Sequence, residues 1–247
     1  MIVRPRQTGQ MDSAARTDAL AAEGRRLLDL CSADLDADVV TCSGWQSRNL
    51  LSHVASAWSA FAMFTEEASM EPPDFSGLES PPEEDDELVA FAEAALARIT
   101  AAVGAADPNQ PVWTWWGEKT LAFFGRRAHL ETVVHRLDAE SASGTPTPVD
   151  PSVAIDGVDE FYGEILANPG EPPSGSFHMH QTDGDGEFML TVADGAIVVA
   201  HEHGKGDAAV RATGEELLEL VWGRRSLEGL EVFGDRAVAE NWTLLAP

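Results

Sequence analysis

Cysteine, basic residues and long apolar runs are all scarce in this chain. Its two cysteines, Cys31 and Cys42, are too few for a disulfide framework and read as unpaired thiols. Neither opens a C-x-x-C pair, which excludes a cysteine zinc site. Lys and Arg number 16 against 42 Asp and Glu, a formal charge of −26. A field of that sign repels phosphate backbones and anionic headgroups, so nucleic acid and membrane surfaces are poor partners. An anionic ligand must then be caught by a local basic pocket. No apolar run approaches the ~18 residues of a membrane helix. Met1–Gln7 carries positive charge with no apolar core behind it, so it does not read as a secretory signal, and a cytoplasmic protein is expected. No internal repeat is visible.

What is present is ordinary for a globular protein: 44% apolar and 23% charged residues over 247 positions, a length that suits two domains. Residues 1–147 read as helices. The first runs from about Ala14 to Cys31. The second, from Ser47 to about Ser69, carries Leu50, Leu51, Val54, Ala57, Trp58, Phe61 and Phe64 as one apolar stripe. Met70–Pro82 holds four prolines and is a loop. Glu83–Glu87, five acids in a row, suits the positive end of a helix dipole and opens a third helix that ends near Gly104. A fourth runs from about Lys119 to Ser143, stopped by Gly144, Pro146 and Pro148. Four helices with no strands between them predict a bundle.

Residues 148–247 have a different texture. A helix from Pro151 to about Leu166 precedes short β-like runs at Ser176–Gln181, Glu187–Val192, Ala196–His201 and Ala208–Ala212. Asp194-Gly195 is a two-residue hairpin signal. A helix over Gly214–Gly223, a strand near Leu230–Phe233 and a final helix over Asp235–Leu245 complete an α+β domain with an antiparallel meander.

Among seven histidines, one relation stands out. Glu131 and His135 are four residues apart on the fourth helix, so their side chains share a face one turn apart. A helix offers two ligands to one metal in this way. His53 lies on the second helix beside its apolar stripe, in an inward or boundary position. Two imidazoles and a carboxylate form a three-ligand set with an open fourth place, the arrangement of catalytic zinc. Spacing alone also permits an ordinary helix pair and a hydrogen-bonded core histidine. Asp138, three residues after His135, reads equally as a partner for a ligand histidine or as an exposed carboxylate. Arg48 reads as a brace of the bundle.

Other features read more plainly. His178-Met179-His180 and His201-Glu202-His203 sit on strands one and three of the expected meander. The middle strand would hold them ~10 Å apart, so they read as solvent-facing rather than as a second metal site. Trp113, Trp115 and Trp116 read as core or a seam between domains, and Gly184 and Gly186 as hairpin turns rather than a phosphate loop.

Ser43-Gly44-Trp45-Gln46-Ser47-Arg48-Asn49-Leu50-Leu51-Ser52-His53 resembles a segment of the mycothiol-dependent maleylpyruvate isomerase family. The run from Arg127 through Glu131 and His135 to Glu140 resembles its second segment. Leu217–Arg225 and Leu230–Asp235 resemble its C-terminal domain, so the resemblance covers nearly the whole chain. Ser43, Gln46 and Asn49 depart from the family's usual residues, and none of them is a ligand.

The resemblance implies an α+β architecture: an N-terminal DinB-like four-helix bundle, residues 1–147, followed by a smaller α/β domain with an antiparallel sheet, residues 148–247. It implies zinc or another divalent metal on His53, Glu131 and His135, and mycothiol as the thiol cofactor. A metal-bound thiol is a thiolate at neutral pH. If its adduct with an activated double bond rotates and the thiol leaves, the result is isomerisation; if the adduct stays, it is S-transfer. Arg224 is expected as the catalytic and cofactor-binding arginine, with Arg225 beside it; the alternative for the pair is neutralisation of acids at a helix end. The expected partners are a small electrophile and a low-molecular-weight thiol. Two other functions stay open: a metal-binding or regulatory protein without turnover, and a metal-dependent hydrolase. Oligomeric state is not legible.

Overall fold

A computed structural model describes residues 11–167 and 170–245. Met1–Gln7, read above as no secretory signal, lies outside the described residues. The described chain divides into two compact units, Met11–Thr147 and the residues from Pro148 onward.

The first unit is built on four long helices: α1 (Ser13–Ala33), α2 (Ser47–Glu67), α3 (Asp85–Ala105) and α4 (Leu121–Ser143). Each beginning has a local cause. Asp12 Oδ1 accepts from the Ala15 amide at 2.8 Å and caps α1. Asn49 Oδ1 accepts from the Gln46 amide at 2.9 Å, so two of the three departures from the family segment, Gln46 and Asn49, cap α2 between them. Asp85, Asp86 and Glu87 fill the first turn of α3, as the acidic run predicts. Gly144, at φ 69°, ends α4 in the left-handed conformation.

α1 and α2 each pack against both α3 and α4. The α2 stripe meets this core as expected: Leu50, Leu51, Val54 and Trp58 are fully buried. Apolar composition alone would let α3 cross a membrane, but Leu88, Ala92, Leu96 and Ile99 are buried in the bundle core. Arg48 braces the bundle by pairing with Asp36 at 2.8 Å and Asp85 at 2.9 Å. A short ribbon of β1 (Pro111–Val112) and β2 (Lys119–Thr120) precedes α4. Between its strands, Trp113, Trp115 and Trp116 form an aromatic cluster with Phe64, Phe75 and Phe123, in which Trp115 is exposed.

The second unit opens with α5 (Pro151–Glu160), extended by one π-helical turn over Phe161–Ile165. Then come β3 (Phe177–Gln181), β4 (Glu187–Ala193), β5 (Ala196–Ala200), β6 (Ala208–Ala212), α6 (Gly214–Val221), β7 (Glu231–Gly234) and α7 (Arg236–Thr243). Asp194 and Gly195 both have positive φ, 52° and 81°, and make the predicted tight hairpin. The sheet order is β5-β4-β3-β6-β7. β3, β4 and β5 form the antiparallel meander, but β6 pairs parallel to β3, so the chain must cross the sheet between β5 and β6. Phe177, Met179, Phe188, Leu190, Val199 and Val210 alternate along the strands and are buried on one face. At the end of β7, Gly234 (φ 76°) lies so close to the Asp207 carbonyl that any Cβ would overlap it.

Candidate metal centre

Residues 127, 131, 135 and 138 follow one another at helical spacing along α4, so their side chains form a ladder on one face. α2 is a neighbour of α4, and its register is held by the buried hydrogen bond from Trp58 Nε1 to Thr132 Oγ1 at 2.9 Å. This pairing brings His53 to the ladder. His53 Nε2 and His135 Nε2 each lie 3.2 Å from the same atom, Glu131 Oε1. The two rings stand 4.8 Å apart at 76°, and one donor atom from each of the three residues lies within 4.8 Å of the others. The sequence-predicted ligands are thus brought together.

Two further residues set this geometry. Asp138 is fully buried; its Oδ2 sits 2.8 Å from His135 Nδ1, and its Oδ1 accepts from Thr41 Oγ1 at 2.6 Å. The carboxylate holds the proton on Nδ1 and turns Nε2 toward Glu131. Of the two readings open for Asp138, the exposed carboxylate is ruled out. Arg127, also buried, donates to Glu131 Oε2, so one carboxylate oxygen is anchored and the other faces both histidines. Sequence reasoning missed Arg127, although its i,i+4 spacing to Glu131 was available.

The site is open on one side. His135 and Glu131 side chains are 9% and 13% exposed, whereas His53 is 43% exposed. His53 therefore lies further out than the inward or boundary position expected, with the Trp45 ring 5.3 Å from its own. Cys31 is buried, and burial, assisted by the negative charge of Asp138, pushes its thiol up to about 12.

The predicted arginines lie on the turn after α6. Arg225 pairs with Glu216 at 3.0 Å and Glu219 at 3.6 Å, the helix-end neutralisation that was the alternative for the pair. Arg224 Nη1 donates to the Trp222 carbonyl at 2.6 Å.

The Mycothiol maleylpyruvate isomerase N-terminal domain matches residues 17–140, and the MDMPI C-terminal domain matches residues 152–241. The chain belongs to the mycothiol maleylpyruvate isomerase family. Two solved structures share its fold: the mycothiol-dependent maleylpyruvate isomerase, at TM-score 0.60, and a mutant of that enzyme, at 0.63. Both are 14% identical to this chain, and each alignment covers 96% of this chain and 97% of the other. No curated protein sequence matches the chain.

Proposed function

We propose that this member of the family is an enzyme that uses a divalent metal, zinc by preference, and mycothiol to transform a small electrophile, as an isomerase or an S-transferase. The observation that carries the reading is the single oxygen, Glu131 Oε1, faced by Nε2 of both His53 and His135. Two imidazole nitrogens and one carboxylate are the donor set of catalytic zinc, and the Asp138 contact to His135 is the usual support of a ligand histidine. The residues present therefore fit the metal. Bound there, a divalent ion with a coordination position left for a thiol supplies a thiolate at neutral pH, the nucleophile for cis–trans isomerisation or sulfur transfer.

The chain's own groups then have distinct tasks. Arg127 keeps Glu131 oriented, and Asp138 keeps His135 in one tautomer. His53, the exposed ligand, marks the side from which thiol and substrate approach. Cys31 does not supply the nucleophile, because its thiol is buried and protonated at neutral pH. Arg224 is assigned the grip on the anionic end of the substrate or of mycothiol, which a guanidinium can hold through two hydrogen bonds. Arg225 is assigned a supporting part in the same binding, since Glu216 and Glu219 already engage it. A cytoplasmic location belongs to the same reading and suits two unpaired cysteines.

Steady-state assays of zinc-loaded protein on maleylpyruvate and a panel of electrophiles, with and without mycothiol, test the proposal. Turnover that requires mycothiol is expected. Full-rate hydrolysis without thiol would make the protein a metal hydrolase. Metal and thiol binding with no turnover would make it a regulatory metal-binding protein.

A further inference from the structure

Among the histidines of the second unit, His201 and His203 are exposed as the sequence suggests, but His178 is buried and three of them gather on one carboxylate. The reason is topological. β5 lies at one edge of the sheet and β6 lies beyond β3, so residues 201–207 must pass over β4 and β3. His203 is on this crossover, not on β5, and the expected separation of two strand widths does not apply to it. On the sheet below, His178 and His180 of β3 share a face, as residues two apart on a strand do. Glu187 of β4 is directly opposite His180 in the ladder and shares that face.

The result is a cluster around one carboxylate. His178 Nε2 is 2.6 Å from Glu187 Oε2, His180 Nδ1 is 2.6 Å from Oε1, and His203 Nδ1 is 3.4 Å from Oε1. The His178 and His203 rings stand 5.0 Å apart at 88°. Donor atoms of His178, Glu187 and His203 all lie within 4.8 Å of one another, the same convergence as in the bundle. His178 is 4% exposed, an imidazole withdrawn from water beneath the crossover.

The crossover is held in place independently of the cluster. At its start His201 Nε2 sits 3.0 Å from Asp159, and at its end Asp207 Oδ2 accepts from the Ser176 amide and hydroxyl, both at 2.8 Å. A Cβ on Gly206 would lie 2.6 Å from the Ala208 carbonyl and 3.1 Å from the His178 amide, so only glycine lets the strap lie this close to β3. Arg211, the β6 neighbour of His180, is drawn to Glu231 at 3.3 Å on the β7 side. In a chain of net charge −26, a cation gains from the global field as well as from the local donors.

We infer that His178, Glu187 and His203 form a second divalent-metal site, with His180 as an adjacent donor, that fastens the 201–207 crossover to the sheet. Imidazole nitrogens with one carboxylate suit zinc and other late first-row ions rather than calcium or magnesium. The role is structural or regulatory, and it is independent of the function proposed for the bundle site.

Equilibrium dialysis against free zinc, with bound zinc counted per chain by elemental analysis, tests this. The proteins are wild type, His203→Ala, His53→Ala and the double variant. His203 is exposed, so its removal leaves the fold intact, and circular dichroism checks that. The expected stoichiometries are about two, one, one and none. Loss of one zinc in His203→Ala, whether or not His53→Ala loses one, upholds the second site. His203→Ala binding as much zinc as wild type overturns it. A Glu187→Gln variant gives a second reading: it should lose the same zinc, and retention of that zinc would also overturn the assignment.

Discussion

Replacing Asp138 with alanine separates the orientation of His135 from its mere presence. The carboxylate is fully buried and contacts His135 Nδ1 at 2.8 Å and Thr41 Oγ1 at 2.6 Å. Without it the imidazole loses the charge that fixes its tautomer and raises the basicity of Nε2. Loss of such an outer partner typically weakens metal affinity about 10–100-fold, or ~1.4–2.7 kcal/mol. A second effect falls on folding: the buried His135 and the half-buried Thr41 hydroxyl lose their acceptor, at a cost of about 1–3 kcal/mol. The Thr41 part is softened because Ser141 Oγ stands 3.2 Å from the same hydroxyl. Asp138→Asn keeps an acceptor for His135 but removes the charge, and should lose less than tenfold in affinity. The assay is competition for zinc with a chromophoric chelator under native conditions, with urea unfolding of metal-free protein reporting the stability effect separately. Zinc affinity within twofold of wild type in Asp138→Ala would refute the orienting role. Cys31 in that variant should still react slowly with thiol reagents, because burial is the larger cause of its raised pKa.

Two further outcomes are expected. Arg224→Ala should lower turnover of an anionic substrate more than tenfold, a loss above ~1.4 kcal/mol, with zinc content unchanged; equal steady-state rates would remove Arg224 from the mechanism. The buried carboxylate of Glu140 ties α4 to α1 and to Thr147: Arg26 and Arg136 pair with it at 2.5 and 2.7 Å, and the Thr147 hydroxyl donates at 2.5 Å. Burial pushes its pKa up, but these partners outweigh burial and hold it below the ordinary carboxylate value. Its stabilisation is therefore present above the unfolded pKa, about 4.3, and is lost as pH falls through the lower folded value. Thermal unfolding followed from pH 7 to 3 should show this loss. Glu140→Gln should flatten it and cost about 1–3 kcal/mol at pH 7, because buried Arg136 then keeps Glu23, at 2.7 Å, as its charge partner but loses the Glu140 carboxylate.

The bundle was legible because helical burial writes itself at a spacing of three and four. Leu50, Leu51, Val54, Trp58 and Phe61 announce the inner face of α2, and Glu131 with His135 announces a shared face of α4. The identity of the third ligand was less legible, since His53 depends on how α2 packs on α4; the resemblance supplied it. Asp138 was ambiguous and Arg127 was missed because a helix buried on nearly every side, as α4 is, no longer separates inward from outward by polarity. The strands and the Asp194-Gly195 turn were visible through alternation and turn chemistry. The parallel pairing of β3 with β6 was not, because strand order depends on which edges meet and not on the pattern within a strand. That one fact moved His203 from an outer strand to a strap above His178 and brought it within reach of Glu187.

The central claim is that His53, Glu131 and His135 hold a metal that in turn binds the thiol. Titration calorimetry of mycothiol into zinc-loaded and zinc-stripped protein, and into zinc-treated His53→Ala, tests it most directly. The account predicts binding to the zinc-loaded wild type alone, with release of about one proton per thiol as the thiolate forms. Equal binding of mycothiol in the presence and absence of zinc, or none to the loaded protein, would contradict it.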